Sequence, residues 1–279
     1  MSKLIKFLSH VDMVKITCID STEIVEEARK LQGLNPTPTA ALGRLLTMTS
    51  MMGSELKGEK DKITVQIMGD GPIGSMLATT NISGNVKGYV TNPIAEAPLN
   101  ETGKLDVGTI VGKGNLRVIK DIGIKNAYIG MVPLQTGEIA EDFAYYFMKS
   151  EQRPTAIALG VLVEKDGSVK KAGGYMLEVL PDTPDQIIKL IENRIIESKS
   201  MTQMLENNMT LEEIAMYISD DLNTYLVEER NVKWECDCSK ERFENAIKNM
   251  KQEDKEELAK GGNAEVICQF CRKKYNIEV

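Results

Sequence analysis

Four of the five cysteines in this 279-residue chain stand as two close pairs near its end. Cys236 and Cys238, in "WECDCSKERF", are separated by one residue, and Cys268 and Cys271, in "VICQFCRKKY", by two; 29 residues lie between the pairs. Four soft sulfur ligands at such spacings suit a tetrahedral Zn²⁺, with Zn–S distances of about 2.3 Å and no histidine required. C-x-x-C is also a redox motif in its own right, and a purely structural zinc knot uses the same residues. Two residues apart in an extended strand, Cα atoms stand about 6.6 Å from each other, close to the upper limit of about 6.8 Å for a disulfide. Cys236 and Cys238 are thus expected to ligate a metal easily but to bond to each other only if the backbone bends. Cys268 and Cys271, at a spacing that tight turns bring closer, have less to overcome and should oxidise first. Oxidation removes ligands from a metal. A segment this small has little core of its own, so loss of zinc costs it on the order of 10 kcal/mol of folding free energy. An oxidant is then expected to act as an unfolding signal.

The rest of the chain offers few competing sites. The only histidine, His10, lies 226 residues before Cys236 and reads as a surface or cap residue without a role. "GKGN" at 112–115 lacks the other residues of a phosphate loop and reads as a turn before a strand, so no ATP is implied. Hydrophobic residues at 42% and charged residues at 27% are ordinary for a globular protein, and a formal net charge of −7 argues against a general nucleic-acid or anionic-membrane binder. From Val232 to Val279 there are ten Lys or Arg and ten Asp or Glu. Four thiolates and one Zn²⁺ would bring that tail to −2, which disfavours a nucleic-acid module despite the basic cluster "CRKKY". The start, "MSKLIKFLSHVDMVKITCID", has no apolar run of signal-peptide length, and no segment approaches the roughly 18 apolar residues of a membrane span. A cytoplasmic location is expected, and there close cysteine pairs are more often metal ligands or redox groups than permanent disulfides.

The elements that must carry these residues fall into three stretches. Residues 12–19 alternate like a strand, and "DSTEIVEEARKLQGLN" supplies a cap at Ser21 or Thr22, an apolar stripe at Ile24, Val25, Ala28 and Leu31, and Gly33 as terminator. "NPTPTAALGRLLTMTSMMGSELKG" predicts a second helix, entered after Pro38 and closed near Gly58. From Lys62 to Leu180 the pattern is strand-rich, interrupted by one helix, "GEIAEDFAYYFMKSEQ". Its short links exclude helical crossovers, so the strands are expected to be mostly antiparallel and the body α+β. Past Leu180 strand signals vanish. "TPDQIIKLIENRIIE" opens with a capping box, Thr183 with Gln186, and has Pro184 at the first helical position; "TLEEIAMYISDDL" repeats the device with Thr210 and Glu213. Between them "SKSMTQMLENNM" reads as a helical linker with a pliable middle. The expected organisation is a body over 1–180, a helical linker over 181–231 and a small four-cysteine zinc domain over 232–279.

Beyond the cysteines, the body carries "ITVQIMGDGPIG", "VKGYVTNP", "VGKGNLRVIKD", "YIGMVPLQTGEIAEDFAYYFMKSEQRPT" and "AGGYMLEVLP" in one order. In these motifs, together with "CDCS.ER" and "CQFC..KY", essentially the whole chain resembles the redox-regulated heat-shock chaperones of about thirty-three kilodaltons. That resemblance implies a non-enzymatic, ATP-independent holdase activated by oxidative stress, with a body of two β-sheets and packed helices, a helical linker and a zinc-binding redox switch. It implies that Cys236, Cys238, Cys268 and Cys271 hold one zinc when reduced, and that Cys236 pairs with Cys238 and Cys268 with Cys271 when oxidised. Unfolded client proteins are the implied partners, with dimerisation of the active form; apart from the resemblance, the methionine-rich stretch Met201 to Met209 reads as an adaptable client contact once oxidation exposes it. Cys18 matches no cysteine motif of the family and reads as a small core residue. Many members continue for another helical stretch beyond "KKYNIEV", and the zinc site is expected not to need it. Two other classes stay open: a thiol–disulfide oxidoreductase using Cys268 and Cys271, which would turn over a dithiol, and a zinc-stabilised adaptor, which would keep its zinc under mild oxidant.

Overall fold

The fold is taken from a computed structural model that describes residues 1–9, 14–219, 222–259 and 263–278; His10 lies outside them. The chain divides into two compact units, Met1–Trp234 and Glu235–Val279. In chain order the strands of the first unit are β1 (Lys3–Ser9), β2 (Val14–Asp20), β3 (Lys62–Gly69), β4 (Ser75–Asn81), β5 (Val86–Val90), β6 (Gly114–Asp121), β7 (Tyr128–Pro133), β8 (Thr155–Val163), β9 (Val169–Val179) and β10 (Thr224–Asn231). Its helices are α1 (Thr22–Gln32), α2 (Pro36–Gly53), α3 (Val107–Val111), α4 (Ala140–Tyr146), α5 (Asp185–Glu197), α6 (Met201–Glu206) and α7 (Leu211–Ser219), and a π-helical turn, Phe147–Glu151, extends α4. Two five-stranded sheets result, ordered β10-β1-β2-β9-β8 and β5-β4-β3-β6-β7, and every strand pair in them is antiparallel. Among the described residues no helix is long and apolar enough to cross a membrane.

The α2 helix explains why the two sheets form one body. Its only charged side chain is Arg44, and from Thr37 to Gly53 every other residue is buried. A helix apolar on all sides needs cover on all sides, and α2 finds it between β8 and β9 of one sheet and β3, β4 and β5 of the other. Its hydroxyls close onto backbone carbonyls: Thr47 donates to Gly43 O and Thr49 to Leu45 O, both at 2.7 Å. Gly43 is required by close approach, because a Cβ there would meet Val25 and Val161 methyls at 2.7 and 2.8 Å. The helix begins at Pro36 rather than after Pro38 and ends at Gly53 rather than near Gly58. First-turn amides have no intrahelical acceptor, so prolines at both positions cost no hydrogen bond. The α1 helix starts after Ser21 and stops at Gly33, left-handed at φ 63°, but the Ser21 hydroxyl bonds Thr47 at 2.6 Å and does not cap the helix.

Residues 181–231 depart from the expected helical linker in one respect: they contain β10, which pairs with β1 as an edge strand. Its burial alternates only weakly, and charges at Glu228, Glu229 and Arg230 hide the strand signal, since an edge strand needs little apolar surface. The Thr183 hydroxyl donates to Leu180 O at 2.7 Å, and α5 starts at Asp185, with Pro184 just before the helix and not at its first position. The Thr210–Glu213 box does form, with reciprocal bonds of 2.8 and 3.1 Å. The α6 and α7 helices cover the outer face of the first sheet, and α5 packs on α7. They make a second core from Ile5, Phe7, Ile16, Cys18, Tyr175 and Leu177 with Ile191, Met201, Met204, Leu205, Ile214 and Ile218. Met201 and Met204 are therefore packed against the first sheet in this fold, and the stretch Met201 to Met209 could meet a client only after α6 leaves it. Cys18 lies fully buried in this core, and burial pushes its thiol far up.

Two polar devices, one buried and one half-buried, stiffen the body. The Asp142 carboxylate accepts four backbone N–H groups, from Gln135 (2.6 Å), Thr136 (3.1 Å), Gly137 (3.3 Å) and Ile139 (2.9 Å), and fixes the turn in which Ile139 takes φ 77°. Arg153, from "SEQRPT", bonds Glu55 with both terminal nitrogens at 3.2 Å and Glu178 through Nε at 2.6 Å, while Lys15 also pairs with both carboxylates. Burial would push the Glu55 carboxyl up, but Lys15 and Arg153 together hold it at about 2. At 112–115, Gly112 (φ 72°) turns the chain into β6, and Asp70 accepts the Lys113 N–H at 2.7 Å.

Candidate metal centre

The second unit contains α8 (Lys240–Lys248), α9 (Gln252–Ala259), and an antiparallel hairpin of β11 (Asn263–Ile267) and β12 (Lys274–Glu278). Cys268 follows β11 directly, as the strand-like "AEVI" suggests, and Cys271 sits in the hairpin turn. That turn is closed by Arg272 N–H donating to Cys268 O and Cys268 N–H donating to Lys273 O, both at 2.9 Å, with Arg272 left-handed at φ 59°. Cys236 and Cys238 occupy an irregular segment before α8. Ser239 caps that helix by accepting the Arg242 N–H at 3.3 Å, and the Arg242 guanidinium reaches back to Asp237, between the two cysteines, at 2.7 Å. The segment belongs to no strand, so the extended-strand separation considered for Cys236 and Cys238 is not imposed on them.

The fold brings all four cysteines together. Their sulfurs lie within 4.8 Å of one another, with Cys236 to Cys268 at 3.7 Å and Cys238 to Cys271 at 3.4 Å. A tetrahedron of sulfurs about 2.3 Å from a central ion has edges of about 3.8 Å, so the cluster fits a four-thiolate metal site, and all four cysteines are free. Cys268 is buried and the other three are half-buried. An all-sulfur donor set favours zinc over the harder cations that take oxygen ligands.

The electrostatics are uneven. Burial pushes the Cys236 and Cys271 thiols up. Burial also opposes ionisation of Cys238, but hydrogen bonds from Tyr275 and the neighbouring cysteines overcome it and bring that thiol down to about 7. The Tyr275 hydroxyl lies 3.1 Å from Cys238 Sγ and 3.1 Å from the Cys238 carbonyl oxygen. Its ring packs on Phe243 with centroids 5.2 Å apart. Sequence reasoning passed over Tyr275 as an aromatic beside a basic cluster. The missed signal is the period-2 pattern of β12, where Tyr275 and Ile277 are buried and Lys274 and Asn276 are exposed.

Comparison with known proteins agrees along the whole chain. The family model described as "Hsp33 protein" matches residues 2–278. The 33 kDa chaperonin of Thermoanaerobacter sp. (strain X514) is 47% identical over 260 residues, covering 92% of this chain and 88% of that protein. That of Caldanaerobacter subterraneus subsp. tengcongensis is 47% identical over 276 residues, covering 98% and 94%. The crystal structure of the 33 kDa chaperonin (heat shock protein 33 homologue) from Thermotoga maritima superposes with a TM-score of 0.92 at 35% identity, over 99% of this chain and 94% of that one. With two antiparallel sheets, packed helices and a clustered set of four cysteines matched from end to end, the chain belongs to the Hsp33 family of chaperones.

Proposed function

We propose that this protein is a cytoplasmic, redox-regulated, ATP-independent holdase that is zinc-bound and inactive when reduced, and disulfide-bonded and active when oxidised. One observation carries the reading: in a chain of a chaperone family, four free thiols converge within 4.8 Å in a unit whose described residues bury only Tyr275 and Ile277 besides Cys268. Cys236, Cys238, Cys268 and Cys271 would hold the zinc. When bound, zinc contributes cross-linking of four thiolates and no redox chemistry of its own. Oxidation of the thiolates in pairs, Cys236 with Cys238 and Cys268 with Cys271, removes the ligands and with them most of the unit's stability.

The chain itself carries the consequence onward. Trp234, two residues before Cys236 in sequence, bridges to Val86, and Val232 N–H donates to Ser2 O at 3.0 Å, so the chain that follows β10 is tied to the first unit. Loss of order that spreads through β10 to α7, α6 and α5 uncovers the apolar face at Ile5, Phe7, Ile16, Tyr175 and Leu177. That face then holds unfolding clients and prevents their aggregation, and a second copy of the active form is a further partner. The alternative of a thiol–disulfide oxidoreductase gains no support from a C-x-x-C in a hairpin turn, because such enzymes place the motif at a helix start. The test is to follow zinc release and suppression of aggregation of a heat-denatured client before and after oxidation. Equal protection by reduced and oxidised protein refutes the switch.

A further inference from the structure

Tyr275 touches the four-cysteine cluster at one sulfur only. Its position is set by the hairpin, where it pairs with Val266, and by its ring, which packs on Phe243 and lies under the Lys273 ammonium at 5.3 Å. From there the hydroxyl meets both the sulfur and the carbonyl oxygen of Cys238 at 3.1 Å. Among the described residues, no hydroxyl is so placed on Cys236, Cys268 or Cys271. When Cys238 is a thiol, its S–H can donate to the hydroxyl oxygen while the hydroxyl donates to the carbonyl. A metal-bound thiolate accepts only, so the hydroxyl proton must then turn toward sulfur.

We propose that Tyr275 is a positioning residue that sets the order of oxidation of the two cysteine pairs, by donating its hydroxyl hydrogen bond to the Cys238 thiolate. The proposal rests on the reading of the cluster as a zinc-holding switch. Oxidation by a peroxide runs in two balanced steps. A thiolate lone pair attacks one peroxide oxygen, the O–O bond breaks, hydroxide leaves and the sulfur becomes a sulfenic acid. A second thiolate then attacks that sulfur, the S–O bond breaks, a second hydroxide leaves and the disulfide forms. A hydrogen bond to the attacking sulfur withdraws the electron density that the first step needs. The same hydrogen bond must break before the Cys238 sulfur can swing onto Cys236 in the second step. No such hydrogen bond acts on Cys268 and Cys271, which already share a tight turn, so that pair closes first.

The test uses full-length, zinc-loaded protein carrying Tyr275→Phe, which keeps the ring and removes the hydroxyl, beside wild type and Phe243→Leu. Each is treated with hydrogen peroxide, quenched at intervals with an alkylating agent and mapped by mass spectrometry, while zinc release is read with a chromophoric chelator. Outer-shell hydrogen bonds to metal ligands typically shift affinity or reactivity 10–100-fold. Wild type should close Cys268–Cys271 first. In Tyr275→Phe, Cys238 should be oxidised about tenfold faster and the order should disappear, whereas Phe243→Leu should keep it. Unchanged order and rates in Tyr275→Phe overturn the proposal. So does an equal loss of order in Phe243→Leu, which would assign the effect to ring packing. Wild-type protein that binds no zinc overturns the switch reading itself, and is recognised before any variant is compared.

Discussion

Stripping the metal from the reduced, zinc-loaded protein should unfold residues 235–279 and leave the two-sheet body folded. Among the described residues of that unit, only Cys268, Tyr275 and Ile277 are buried. Full burial of an apolar side chain is worth about 1.5–3 kcal/mol, so Tyr275 and Ile277 together contribute at most about 6 kcal/mol. A structural four-ligand zinc contributes about 10–16 kcal/mol near neutral pH. Removal therefore takes away the larger of the two stabilising contributions, and each 1.4 kcal/mol lost is a tenfold shift toward the unfolded form. Hydrogen exchange read by mass spectrometry resolves the outcome by segment. After chelation the β11–β12 ladder and the Cys268 and Arg272 amides of the turn should lose their protection, while the β3–β6 ladder, with Val65 opposite Val118, should keep it. If the hairpin amides stay protected within about tenfold after the metal is gone, the unit has a core that its burial pattern does not reveal, and oxidation cannot work by unfolding it.

Three further outcomes follow from the polar devices of the body. Arg153→Met should destabilise the body by about 1.5–3 kcal/mol in denaturant unfolding, because the buried Glu178 and the half-buried Glu55 lose their guanidinium partner and keep only Lys15. The Glu55 carboxyl is held at about 2 when folded, against about 4.3 when unfolded, so its stabilising contribution is complete above about 4.3 and lost as pH falls through 2. Stability measured across that window should fall less steeply in Glu55→Gln. Asp142→Ala should cost about 2–6 kcal/mol by the same assay, since it orphans the buried Gly137 and Ile139 amides at about 1–3 kcal/mol each.

Residue chemistry made the candidate site readable before any coordinates. Soft ligands at short spacing in an acidic chain leave few options, and the cluster at 236, 238, 268 and 271 forms as those spacings imply. The α1 and α2 helices and the antiparallel body were equally plain, because caps, stripes and short links are local signals. What escaped was set by tertiary context. The β10 strand carries three consecutive charged residues, Glu228 to Arg230, and becomes a strand only because β1 offers it a partner. Thr183 has the residue type for a capping box but spends its hydroxyl on Leu180. The packing of the α6 methionines against the first sheet depends on a tertiary neighbour that their own spacing does not encode. Tyr275 needed the hairpin register to be seen as a neighbour of Cys238 rather than part of a basic cluster.

The first sheet works as a bulkhead. Its inner face belongs to the large core around α2, and its outer face to the separate core beneath α5, α6 and α7. Two cores divided by a sheet can fail independently, as cooperative sub-units of one domain do. A layer can therefore be shed from one side without flooding the other, which lets the body give up apolar cover and still remain a rigid, folded platform.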